Sequence, residues 1–381
     1  MFGAGLICGA YMTKVALALP LQRAEMGLTL VESGFIATMF NVMGALVGML
    51  AGVMCDRYGQ RRLGLAGLAI LAVSGLLGAM AWNFPVLLLS RFFEGIGFIL
   101  FTVTATTLMA TASAGPRDRA KALGLWSAYM PTGGGLALLI APPVMAAWGW
   151  RGLWALLALG AAACFALAAR YAPSPKYGGV ASMRLVAESL AQRGNIVLAL
   201  LFMFYVSQWS SVMIWLPTFL VDERGASAGA AALLTALMVL VNAPGNVAGG
   251  WLLAHGTRRG PMIVAASAVM AACSAGMLGS FFPDTARYLL CLAFSACAGV
   301  IPGAIFSGLP VHAKTPQHIS TGNGLVMQAS QGGQFFGPIA LAWLASRFGG
   351  WGATLWAMLA FAAGGALCGF ALERIERRLR R

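Results

Sequence analysis

The chain has 381 residues, of which 60% are hydrophobic and 9% charged, with a formal net charge of +14. A water-facing surface needs far more charge, so a soluble domain is excluded, and a mean hydropathy of +0.81 points to a chain solvated by lipid. The apolar residues form continuous runs rather than alternating with polar ones, which excludes a transmembrane barrel and leaves helices.

Taken in chain order, twelve spans are expected at 2–21, 31–53, 63–82, 86–110, 121–145, 151–171, 195–217, 229–253, 261–281, 286–310, 321–346 and 351–371. Each is long enough to cross about 30 Å of hydrocarbon as a helix. No basic segment precedes span 1, so it is expected to remain a span and not a cleaved leader. The longest polar interruption, 173–194, divides the chain into a six-helix bundle (1–172), a cytoplasmic linker and a second six-helix bundle with a short basic tail (195–381). Within the linker, 183–190 is patterned as a short amphipathic helix.

Eighteen of the 25 Lys and Arg residues follow even-numbered spans or lie in the tail, and five lie in loops on the other side. Such asymmetry places both termini in the cytoplasm, as for a multi-pass protein of the inner (plasma) membrane. It also accounts for the basicity, so the bilayer is the expected charged partner and nucleic acid is not. The seven cysteines are expected as free thiols, and the protein as a monomer.

The two halves resemble each other. Gly52–Arg62 (GVMCDRYGQRR) aligns with Gly250–Arg259 (GWLLAHGTRR) after one deletion, and Gly124 and Trp150 have counterparts near Gly324 and Trp351. Six spans per repeat make the repeats parallel, related by an axis along the membrane normal. A solute path between pseudo-symmetric bundles is the expected use of that arrangement.

The loop after span 2 carries chemistry as well as symmetry. Asp56 and Arg57 lie beside Gly59, Arg61 and Arg62, and a carboxylate beside arginines can make charge-assisted hydrogen bonds at the cytoplasmic surface. This loop resembles the G-x-L-A-D-R-x-G-R-[KR] signature of the major facilitator superfamily, with Met54, Cys55 and Gln60 as departures. The resemblance implies the twelve-helix major facilitator fold, a secondary transporter working by alternating access, and a gating latch at Asp56, Arg57, Gly59, Arg61 and Arg62. The second copy has Ala254 where Asp56 falls, which reads as a weaker latch. In span 5, Gly124–Gly135 (GLWSAYMPTGGG) is similar to the cyanate-permease-like branch. Pro131 after Met130 and Pro142 after Ala141 depart from the family's antiporter signature. The glycines alone would equally serve to thin the helix for close packing.

Three ionisable residues fall inside predicted spans: Lys14, Arg91 and Glu94. An unpaired charge at the bilayer centre costs about 2–3 kcal/mol or more, so each is a functional candidate. Arg91 and Glu94 are spaced to share one helix face. Arg91–Gly97 (RFFEGIG) resembles the family's R-x-x-x-G-x-G motif in span 4, which implies proton coupling at Arg91 and Glu94; a static ion pair is the competing use. With Glu94 offset by Arg91, Lys14 would give the interior a positive character suited to an anionic solute, with Tyr11 one turn away as a hydrogen-bonding partner. Alternatively, Lys14 pairs with Glu94 or Glu32, or reaches outward, and no anion preference follows.

Uncharged polar residues near mid-depth complete the candidate binding set: Asn41, Trp126, Tyr129, Gln208, Trp209, Asn242, Asn246, Gln328 and Gln331, with Gln334 continuing the last pair. In hydrocarbon their polar groups must face a cavity or another helix. No phosphate-binding loop, paired catalytic carboxylates or metal-ligand spacing appears, so no catalytic residue, cofactor or metal is expected. The reading is a transporter of a small solute, cyanate-like or carboxylate, with a proton as candidate co-substrate. A proton-coupled exporter of amphipathic compounds and a non-transporting membrane sensor or scaffold are the alternatives.

Overall fold

A computed structural model describes residues 1–112, 126, 129–172, 187–188, 191–279, 281–312 and 316–379, with some side chains inside these ranges left out. Every extended element among them is a helix. Ten helices are long and apolar enough to cross a membrane. One of these, Tyr129–Tyr171, runs for 43 residues through a non-helical Gly149 at φ 64° and is spans 5 and 6 joined end to end. Pro316–Phe348 is span 11, made more polar by Gln328, Gln331 and Gln334. The expected twelve spans are therefore present.

Three spans are broken. Span 2 consists of Leu30–Thr38, a 3-10 turn at Met39–Asn41, and Val42–Tyr58. Span 8 divides into Ala228–Leu240 and Asn242–Ala254, and span 10 into Asp284–Ala298 and Val300–His312. The remaining spans are Phe2–Met26, Gln60–Ala79, Phe84–Ala112, Arg193–Arg224, Arg259–Leu278 and Leu355–Leu379, numbers 1, 3, 4, 7, 9 and 12. The turn between spans 1 and 2 shows why ends fall where they do. Gly27 adopts the left-handed conformation that closes span 1. Two residues on, Thr29 and Glu32 form a reciprocal capping box that opens span 2.

The chain divides into two compact units, Met1–Ser182 with Ile214–Ala236, and Met183–Met213 with Leu237–Arg381. Sequence places 214–236 in the second bundle, whereas its contacts place it in the first unit. There Asp222 pairs with Arg23 at 2.9 Å. The amphipathic stretch 183–190 lies outside the described residues except at Ala187 and Glu188.

Inside the first unit, span 1 packs along spans 5 and 6, span 3 lies between spans 4 and 6, and span 2 rests on span 4. In the second unit span 9 packs on spans 10 and 12, and span 8 on span 10. Close backbone approach at glycines sets the register in both. A Cβ on Gly95 would stand 2.1 Å from the Phe40 carbonyl oxygen, and one on Gly133 2.2 Å from that of Leu6. The same contacts recur in the second unit as Gly299 on Asn242 (2.4 Å) and Gly333 on Met203 (2.4 Å). Only glycine allows helices to approach so closely, and the repeat seen in the loops is thus a repeat of packing. The faces turned outward carry apolar side chains such as Val73, Leu159 and Leu367, the surface a lipid-solvated helix requires.

Candidate functional site

The three charges foreseen in the membrane interior come together. Lys14 of span 1 and Arg91 and Glu94 of span 4 all have 0% exposed side chains. Lys14 Nζ donates to Glu94 Oε1 at 2.8 Å. Arg91 Nη1 donates to Glu94 Oε2. One carboxylate therefore holds two cations, and the ionised cluster sums to +1. Lys14 is accordingly not a free cation; the pairing with Glu94 that competed with that reading is what the chain adopts. Any attraction for an anion must come from the cluster as a whole.

Each group is anchored by the architecture around it. Arg91 Nε donates to the Ile36 carbonyl at 3.2 Å, just before the 3-10 turn of span 2, and Nη1 to the Tyr11 carbonyl at 3.0 Å. This side chain ties spans 1, 2 and 4 together. Lys14 Nζ lies 4.0 Å from the centre of the Tyr11 ring and 4.2 Å from that of Trp154, while the Arg91 guanidinium lies 4.8 Å from that of Phe40. Aromatic faces can stabilise the excess positive charge without adding a counter-ion. The Tyr11 hydroxyl donates to the Leu71 carbonyl at 2.8 Å, so it braces span 3. Two buried donors, Arg91 Nη2 and Trp154 Nε1, have no protein partner. What completes them must bring lone pairs.

The other candidates in the first unit are packed among its helices. Trp126 and Tyr129 stack with ring centres 4.4 Å apart, and a Cβ on Gly5 of span 1 would touch both. Asn41 is buried in the span 2 turn with Oδ1 unpartnered. Gly133 and Gly134 press on Leu6 and Thr13, the close packing that their spacing allowed.

In the second unit the polar candidates form an uncharged network. Trp209 Nε1 donates to Ser295 Oγ at 3.0 Å, and Ser295 Oγ to the Met238 carbonyl at 2.6 Å. Asn242 Nδ2 donates to the Ser295 carbonyl at 2.9 Å, and Asn246 Nδ2 to Asn242 Oδ1 at 3.0 Å. Gln208 Nε2 donates to the Met358 carbonyl. Gln334 bonds Ser330 at 3.2 Å, Gln331 is buried with Oε1 unpartnered, and Gln328 is half-buried.

At the loop after span 2, Gly59 has φ 98°. The side chains of Asp56 and Arg57 lie outside the described residues. Arg61 donates Nε to the Ala172 carbonyl at 3.1 Å and Nη2 to that of Ala169, closing the end of span 6; Arg62 is exposed. The corresponding loop of the second unit is not short of acid. Glu376 of span 12 pairs with Arg259 and Glu373 with Arg258, and His312 Nε2 lies 3.4 Å from Glu376. Among the described residues no group of His, Cys, Asp and Glu is placed to hold a metal ion.

Comparison with known proteins sets this architecture in context. The family model of the Major Facilitator Superfamily matches residues 1–338. The chain belongs to the major facilitator superfamily. It is similar to the "Probable sulfoacetate transporter SauU" of Cupriavidus necator, 26% identical over 94% of this chain and 88% of that one. It is also similar to the "Putative niacin/nicotinamide transporter NiaP" of Bacillus subtilis, 25% identical over 85% of this chain and 82% of that one. A bacterial homologue of the human lysosomal transporter Spinster shares the fold, with a TM-score of 0.81 at 17% identity, covering 97% and 95% of the two chains. This superfamily member is a multi-pass membrane transporter and not an enzyme.

Three features escaped sequence reasoning. Trp154 is the first, because an aromatic in an apolar span looks like any other. Ser295 is the second, a small residue whose importance lies in its neighbours. The acids of span 12 are the third, because they lie more than a hundred residues from the arginines they meet.

Proposed function

We propose that the protein carries a small organic anion across the cytoplasmic (inner) membrane by alternating access, coupled to a proton, with both termini in the cytoplasm. The observation that carries this reading is the Lys14–Glu94–Arg91 cluster, 0% exposed and one positive charge in excess. A charge imbalance of this kind is costly in hydrocarbon and is retained where a pathway uses it. The two unpartnered donors, Arg91 Nη2 and Trp154 Nε1, add to the attraction for an acceptor-rich solute. Sulfoacetate, named for one relative, bears acid groups, and so does niacin, which is named for the other together with its neutral amide nicotinamide.

Uptake into proteoliposomes tests this. Sulfoacetate and nicotinate are compared with neutral nicotinamide and xylose, each with and without an imposed pH gradient. We expect at least one acid to be taken up about tenfold faster than the neutral compounds, the equivalent of about 1.4 kcal/mol, and faster still with the gradient. Equal rates for acids and neutral solutes would overturn the anion reading.

A further inference from the structure

We infer that Lys14, and not Glu94, is the group that gains and loses the coupling proton. The inference rests on the anion-transport reading for its cargo, but its central measurement needs no cargo.

Side chains of three spans face the Lys14 ammonium. Span 4 presents Glu94 directly and Arg91 through it; span 1 presents Tyr11; span 6 presents Trp154, which does not titrate. Arginine keeps its proton in proteins. The Tyr11 hydroxyl already donates to the Leu71 carbonyl, and a phenolate there would face that oxygen with no donor between them. Glu94 receives both cations, so protonating it would leave +2 in a site with 0% exposure. Lys14 remains. Its N–H bond breaks, the electron pair stays on Nζ and the proton leaves to water. The neutral amine still has hydrogens to donate to Glu94 Oε1, so the 2.8 Å contact survives the change.

Charge balance then yields coupling. Without the proton, the amine, the Glu94 carboxylate and the Arg91 guanidinium sum to zero. With one proton and one bound monoanion the cluster again sums to zero. These two states, empty and fully loaded, place no net charge in hydrocarbon. The half-filled states carry +1 or −1 and are disfavoured by the cost of burying an unbalanced charge. A proton on Glu94 offers no such pair, because with Lys14 always charged the empty site is +1 or +2. The arrangement is that of a symporter moving one proton with each monoanion.

The test has a cargo-free arm. Purified protein is titrated over about pH 6 to 9, above the ordinary carboxylate range and below that of lysine. The expected result is that wild type releases one more proton than Lys14→Arg. Infrared difference spectra of wild type carrying ¹³C-labelled glutamate should show no label-sensitive protonated-carboxyl band in that window. Equal proton release by wild type and K14R would overturn the inference. So would a label-sensitive carboxyl band that disappears in Glu94→Gln. The infrared arm on wild type decides the matter if a variant does not fold. In a second arm, accumulation of nicotinate, a monoanion unlike the doubly charged sulfoacetate, should follow an imposed pH gradient in wild type and not in K14R; gradient-driven accumulation by K14R would overturn the inference. If wild type carries neither anion, the cargo reading fails, and the titration still decides which group holds the proton.

Discussion

The two units share a packing scheme and differ in charge. Aligned on their close glycine contacts, Gly95 on Phe40 with Gly299 on Asn242, Arg91 falls on Ser295, Glu94 on Ala298 and Ile36 on Met238. The correspondence extends to bonding: Arg91 donates to the Ile36 carbonyl, and Ser295 donates to that of Met238. Aligned instead on Gly133 with Gly333, Lys14 falls on Ser211 and Tyr11 on Gln208. The helix-to-helix brace at this place has therefore been kept in both copies, and the ionisable groups stand in one. Holding the bundle together does not require charge here, since a serine hydroxyl performs the bracing in the second unit. What the first unit adds is a buried cluster of ionisable groups.

This comparison can be broken in several ways. The largest effect is expected at Glu94. Glu94→Ala leaves Lys14 and Arg91 buried without their counter-ion, which should cost about 3–5 kcal/mol and abolish gradient-driven transport. Asn242→Ala in the uncharged network should leave the gradient response intact. Thermal unfolding in lipid nanodiscs with parallel flux assays checks both. Next come the shared contacts. Gly95→Ala and Gly299→Ala each force a Cβ into a carbonyl oxygen and should each destabilise by about 1–3 kcal/mol, to a similar degree in the two units. A large difference between them would undo the claim that the packing is repeated. Smaller again is Ser295→Ala, which removes two interhelical hydrogen bonds, from Trp209 and to the Met238 carbonyl, and should cost about 0.6 kcal/mol for each with the proton stoichiometry unchanged. Smallest is Arg23→Ala. Its half-exposed pair with Asp222 should contribute about 0.2–1 kcal/mol to unfolding and weaken further in salt.

Much of this was legible in the sequence, for physical reasons that differ by residue. The twelve spans follow from run length against bilayer thickness. Arg91 and Glu94 were readable as partners because three residues on a helix place two side chains on one face. Lys14 was recognisable as a buried charge, yet its choice of Glu94 depends on the register between spans 1 and 4, which is set by packing elsewhere. The partners of Arg258 and Arg259 were hidden for the same reason: Glu373 and Glu376 reach them from span 12.

The central claim is that proton and anion cancel each other's charge on the Lys14–Glu94–Arg91 cluster. Its most direct test is wild-type uptake of nicotinate, or of another monoanion found to be carried, in proteoliposomes with the pH gradient and the membrane potential set independently. The account predicts accumulation that follows the pH gradient and is indifferent to the potential. Uptake that follows the potential and ignores the pH gradient would contradict it.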